Sequence, residues 1–184
     1  MSKAVLISIR PKWCEKIASG EKTIEVRKTR PKLQTPFKCY IYCTMNHPYI
    51  SVSCGELDKL NYRTNTVSRC NGKVIGEFSC DKVDWITRVG FSGSPVPSRY
   101  SICNHNNMDV LPIDDLLHAA RLTYPELVDY LAGGEGYGWH ISNLLIYDQP
   151  WELSEFTGLR TFKGGFELRK IDRPPQSWCY VEEG

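Results

Sequence analysis

Between positions 10 and 28 the chain gathers the side chains best suited to chemistry: Arg10, Lys12, Lys22, Glu25, Arg27 and Lys28, with Trp13 among them. Arg10 and Lys12 flank Pro11, whose fixed φ and missing N–H suit the first position of a helix. Cations at that end of a helix oppose its dipole, at about 0.3 to 1 kcal/mol each. An anion would resolve the conflict, because backbone N–H groups and both side chains could converge on it. Bending of both side chains into water, or pairing with a distant acid, is the alternative. Lys22, Glu25 and Arg27 follow a turn at Gly20, and the two-residue period of a strand brings them to one corner. There they could hold a base edge and a phosphate, tune one another for proton transfer, or pair across a sheet. A desolvated Lys22 beside Arg27 would lean toward its neutral form. Pairing with Glu25 would hold it charged, and this second state is the expectation.

The charge is unevenly spread. The formal net charge is +2, yet residues 1 to 38 hold ten Lys or Arg against three acids and carry +7, leaving −5 for the remainder. Clustered cations attract phosphate and gain from counterion release, which points to an anionic partner met by one side of the molecule. A merely solvated basic face is the alternative. The eight cysteines include no C-x-x-C pair, and structural zinc sites rely on close ligand pairs. Cys39 and Cys43 share a strand face roughly 13 Å apart, too far to share one ion. Cys103 with His105 is the remaining metal candidate. The expectation is eight free thiols in a reducing compartment, with no metal and no cofactor.

These residues need elements to hold them. A chain of 184 residues with 41% hydrophobic and 24% charged residues suffices for one domain with a sizeable core. It lacks the roughly 20-residue apolar run of a membrane helix, and a soluble, cytoplasmic protein is expected. Ala4 to Ile9 reads as a strand. Trp13, Cys14, Ile17 and Ala18 recur at helical spacing until Gly20. Thr23 to Arg27 then alternates, with Ile24 and Val26 facing a core and Glu25 and Arg27 on an available polar face. Lys38 to Thr44, Lys73 to Cys80, Val83 to Val89 and Tyr137 to Tyr147 read as further strands. Met45 to Gly72 reads as an irregular insertion with one short strand near Tyr49 to Val52, and Gly90 to Pro112 as a long loop. Ile113 to Arg121 is helical, and Thr123 with Glu126 forms a capping box for a second helix that stops at Gly133-Gly134. The tail ends in a strand, Trp178 to Glu182. The sum is an α+β fold of about six strands, best closed as a small barrel with flanking helices.

Ser8-Ile9-Arg10-Pro11, then Gly20-Glu21-Lys22-Thr23-Ile24-Glu25-Val26-Arg27, then Val74-Ile75-Gly76-Glu77-Phe78 resemble the ASCH domain of the PUA-like superfamily. Its G-x-K-x-x-E-x-R signature is matched at Gly20, Lys22, Glu25 and Arg27, and the similarity extends through Tyr137-Gly-Trp-His-Ile141. The resemblance implies one PUA-like domain over residues 1–184, with the strand at 178–182 closing the barrel. An insertion at about 45–72 and an extension from about 148 depart from the family's pattern and would narrow or re-aim its cleft. A basic cleft beside the motif would bind RNA or a nucleotide-like, modified-base ligand. Arg10, Lys12, Lys22, Arg27 and Lys28 would lie on phosphate, with Glu25 beside them. Trp13, Tyr137 or Trp139 would stack on a base. Some members of the family are amidohydrolases that deacetylate N4-acetylcytidine with a Lys, a Thr and a Glu. Lys22 falls on that lysine, whereas Glu25 occupies the threonine position and Thr23 stands one pleat step away. In that alternative Lys22 and Glu25 would be catalytic, assisted by Glu77 or Glu126.

Overall fold

The computed structural model describes residues 2–53, 67–90, 99–103, 110–162 and 165–184. The first strand, β1 (Lys3–Ile9), is buried on both faces from Ala4 onward, which is why its sequence is an almost continuous apolar run. It leads into α1 (Pro11–Ala18), with Arg10 at the N-cap and no acidic residue in the first turn. Gly20, at φ +76°, takes the left-handed turn toward β2 (Ile24–Arg27). β1 then pairs in parallel with β3 (Phe37–Cys43).

Two long strands carry the rest of the sheet. β6 (Lys73–Val89) is one continuous strand where the sequence suggests two, because exposed Asp81 and Lys82 interrupt its apolar pattern without ending its ladder. Along one edge β6 pairs with β3 and then with β7 (Arg99–Cys103); along the other it pairs with β9 (Gly136–Glu152). Register shifts at three places along the β6–β9 ladder mark bulges, which let a long pair bend while staying paired. β2 pairs with the start of β9, from Ile24 opposite His140 to Arg27 opposite Tyr137.

Other segments revise the sequence reading. The insertion holds a two-stranded sheet of β4 (Ser51–Ser53) and β5 (Val67–Arg69), with 54–66 and Cys54 outside the described residues. Within the expected 90–112 loop, β7 and β8 (Val110–Leu111) extend the main sheet, while 91–98 and 104–109, including His105, lie outside the described residues. α2 (Asp114–Ala120) precedes α3 (Tyr124–Leu131), whose Thr123–Glu126 capping box is fully formed. The tail adds a hairpin that sequence spacing does not announce, β10 (Thr157–Phe162) with β11 (Gly165–Lys170), before β12 (Trp178–Glu182).

The fold is therefore α+β, with ten strands in one mixed sheet and three α-helices among the described residues. The sheet does not close into a barrel. β12 sits between β1 and β10, so the last strand extends the sheet, and among the described strands β2 pairs only with β9. One core cluster fills the space between β1, β3 and α1, where Cys14, Cys39 and Cys43 are fully buried beside Ile7, Ile41 and Trp139. A second packs α2 and α3 on Ile24 and Val26, and a third joins the opposite faces of β1 and β3 to Phe156 and Ile171. Seven cysteines among the described residues are free thiols, and burial pushes the thiol pKa of Cys70 and of Cys80 up to about 12. Among the described residues no group of three His, Cys, Asp or Glu is placed to hold a metal ion, and no helix is long and apolar enough to cross a membrane.

Candidate functional site

The turn after Gly20 and the pleat of β2 bring Lys22, Glu25 and Arg27 into direct contact. Glu25 Oε1 accepts from Arg27 Nη2 at 2.9 Å, and Lys22 Nζ lies 3.3 Å from Glu25 Oε2. Lys22 Nζ also donates to the Ala120 carbonyl at 2.7 Å, and Arg27 Nη2 to the Ser8 carbonyl at 2.7 Å. The polar face of β2 is thus not the available surface its alternation suggests. Lys22, Glu25 and Arg27 are only 3, 6 and 8% exposed, because α2 and the end of β1 close over them. Two cations share one carboxylate, so the floor of the site carries an excess positive charge. Burial lowers the Lys22 pKa; Glu25 opposes this and Arg27 reinforces it. Desolvation therefore outweighs the pairing expected to keep this lysine at its ordinary basicity.

The cluster forms the floor of a cleft of about 760 Å³. Arg10, Lys12 and Lys28 stand exposed in its lining, with Trp13 half-buried beside them. The Trp13 ring carries Lys12 Nζ at 4.2 Å and Lys22 Nζ at 5.0 Å from its centroid, which fixes the indole beside the cations. A second hollow of about 720 Å³ adjoins the first, sharing Lys28 and Thr29 and continuing past Arg30 and Lys32 to Tyr137. Of the ten cations in residues 1–38, seven line these two spaces. Lys16 and Lys38 instead pair with Glu21 and Glu77 elsewhere.

Three expected participants are placed differently. Trp139 is fully buried and packs edge-on against Phe37 and Trp178 at 5.8 and 6.0 Å, so it is a core residue and offers no ring to a ligand. Its neighbour on the same strand, Tyr137, reaches only the second hollow. Glu77 lies away from the cleft, paired with Lys38 and accepting from the Tyr147 hydroxyl at 2.6 Å. Glu126 does line the cleft, and its hydrogen bonds from Thr123 hold its carboxyl below the usual range. Thr23 is exposed outside the cleft lining.

No family model matches the chain, and no curated protein matches it. Among solved structures, the crystal structure of ASCH from Zymomonas mobilis superposes with a TM-score of 0.50 at 16% identity, covering 98% of this chain and 88% of that one. The chain shares the fold of that ASCH structure. Crystal structures of two single-residue variants of the Zymomonas mobilis protein, one with tyrosine changed to phenylalanine and one with serine changed to alanine, each score 0.49 at 16% identity over 98% of the chain.

The cleft has a wall that local sequence does not reveal. The segment Pro174–Ser177 docks beside β1, where Ser8 N–H donates to the Ser177 carbonyl at 2.9 Å and the Ser8 hydroxyl to the Pro175 carbonyl at 2.6 Å. Ser177 thereby stands 3.5 Å from Arg27 Nη1. Tyr130 of α3 also lines the cleft and carries Lys28 Nζ at 5.4 Å from its ring centroid. Neither residue has a spacing that marks it, since each reaches the cleft through tertiary packing.

Proposed function

We propose that this ASCH domain binds RNA or a nucleotide-like ligand, with its phosphates on Arg10, Lys12 and Lys28 and its base in the cleft between Trp13 and Tyr130. The observation that carries the reading is the gathering of seven cations from one short segment along two adjoining hollows with aromatic walls. Exposed cations on the rim serve phosphate, whose binding gains from counterion release. The excess charge of Lys22, Glu25 and Arg27 adds attraction from a desolvated floor, where screening is weak. Aromatic rings beside such a track suit stacking by bases of any sequence. The family resemblance points the same way. Titration calorimetry with nucleoside monophosphates and a short single-stranded RNA tests this reading. Binding that weakens strongly when the phosphate is removed is expected; no heat with any of these ligands would overturn it.

A second reading, hydrolysis of an acylated nucleoside such as N4-acetylcytidine, is favoured by one observation, the lowered pKa of Lys22 beside Glu25. A lysine of reduced basicity can exchange a proton with a bound water or a leaving amine, and an adjacent carboxylate can hold that proton. Chromatography of N4-acetylcytidine after incubation with the protein decides it, since turnover would appear as cytidine and acetate.

A further inference from the structure

The free edge of β2 runs along the cleft, and no other strand among the described residues uses it. β2 pairs with β9 alone. Ile141 N–H donates to the Thr23 carbonyl at 2.9 Å, which sets the alternation of the ladder. The Thr23 N–H turns instead to the Ala119 carbonyl at 2.9 Å, but Glu25 and Arg27 direct their backbone groups at β9, while Ile24, Val26 and Lys28 direct theirs away from it. The cleft lining contains Glu25 and Arg27 from one face of β2 and Val26 from the other, so the strand's free edge faces the cleft. Two donors of that edge are taken. Lys22 N–H donates to the Lys16 carbonyl, and Lys28 N–H interacts with the Tyr130 hydroxyl. Ile24 does not line the cleft. Val26 is left, with one N–H and one C=O side by side and no partner for either among the described residues.

From this we infer that the Val26 backbone N–H and C=O read the hydrogen-bonding edge of the ligand's base. The inference rests on the nucleotide-binding reading above and names how the base is held. One adjacent donor and acceptor match the edge of a nucleobase, where a ring nitrogen and an exocyclic oxygen or amino group stand next to each other. They do not match an added peptide strand, which needs several consecutive free pairs. The Val26 side chain is packed in the core against α2 and α3, so its backbone is fixed before the ligand arrives. Rings of Trp13 and Tyr130 bound the same space.

The test uses the intact protein and pairs of nucleotides that differ only at that edge: AMP against N1-methyl-AMP, and UMP against 3-methyl-UMP, with ribose 5-phosphate as the baseline. Methylation should weaken binding about tenfold or more, toward the baseline, because it blocks one hydrogen bond and leaves a backbone group unpaired. Equal affinity for methylated and unmethylated nucleotides would overturn the inference while leaving nucleotide binding intact. Binding of no nucleotide would overturn both. Val26→Pro gives a second arm, since it removes an N–H that the β9 ladder does not use. A folded variant should lose the preference for unmethylated bases, and a folded variant that keeps it would contradict the assignment. Should the variant not fold, the nucleotide series on the native protein decides alone. Tight binding of an extended peptide without nucleotide binding would also overturn the inference.

Discussion

Glu25 stands between two buried cations, and the consequence for stability depends on which member is removed. Neutralising Glu25 leaves Lys22 and Arg27 facing each other in a desolvated site, whereas neutralising Lys22 leaves a balanced Glu25–Arg27 pair. Glu25→Gln should therefore cost about 3 to 5 kcal/mol, as expected for breaking a buried pair, and Lys22→Met distinctly less. Urea denaturation of both variants would show the order, and a larger loss for Lys22→Met would contradict it. The pH dependence follows from the same residue. The Lys22 pKa is lower in the folded protein than the ordinary value of 10.5, so between those two values the unfolded chain holds more protons and stability rises with pH. That rise is lost as pH falls through the folded value. Lys22→Met should flatten this part of the stability curve, measured between neutral pH and about pH 10; an unchanged curve would place the titration elsewhere.

The elements nearest the site are fixed by local signals, and the ones that frame it are not. Pro11 and Gly20 bound α1, and the Thr123–Glu126 box starts α3, so both helices are legible in sequence. Thr123→Ala should cost about 1 kcal/mol, measured by thermal denaturation, and no loss would mean the cap is not the start signal. The lengths of β6 and β9 were not legible, because a ladder with bulges continues through polar residues such as Asp81 and Lys82 whenever a partner strand is present. The β10–β11 hairpin escaped for a similar reason, since alternate residues such as Arg160 and Arg169 hide its pairing. At Gly76 the two long strands leave no room for a side chain. A Cβ there would run into the Leu145 carbonyl and press on Ile146. Gly76→Ala should cost about 1 to 3 kcal/mol through overpacking, and a neutral result in chemical denaturation would show that the pair can separate freely.

At the scale of the whole molecule, the sequence discloses that cations are concentrated in residues 1–38, and folding decides what they do. Some face counterions elsewhere, as Lys38 does with Glu77, and Lys22 and Arg27 are drawn into the floor. Arg10, Lys12 and Lys28 remain on the rim, joined by Arg30 and Lys32 along the second hollow. The alternation of β2 was legible, but its burial was not, because the cover comes from α2, far along the chain at Asp114–Ala120. What unites these placements is a rim that binds phosphate. The most direct measurement is the salt dependence of binding to a fluorescent single-stranded RNA, for the native protein and for Arg10→Gln/Lys12→Gln. Native affinity should fall steeply as salt rises, and the double variant should show a slope in log K against log salt shallower by about 1.4, the share of two lost phosphate contacts on a single strand. Identical slopes for the two proteins, or native binding unaffected by salt, would contradict the account.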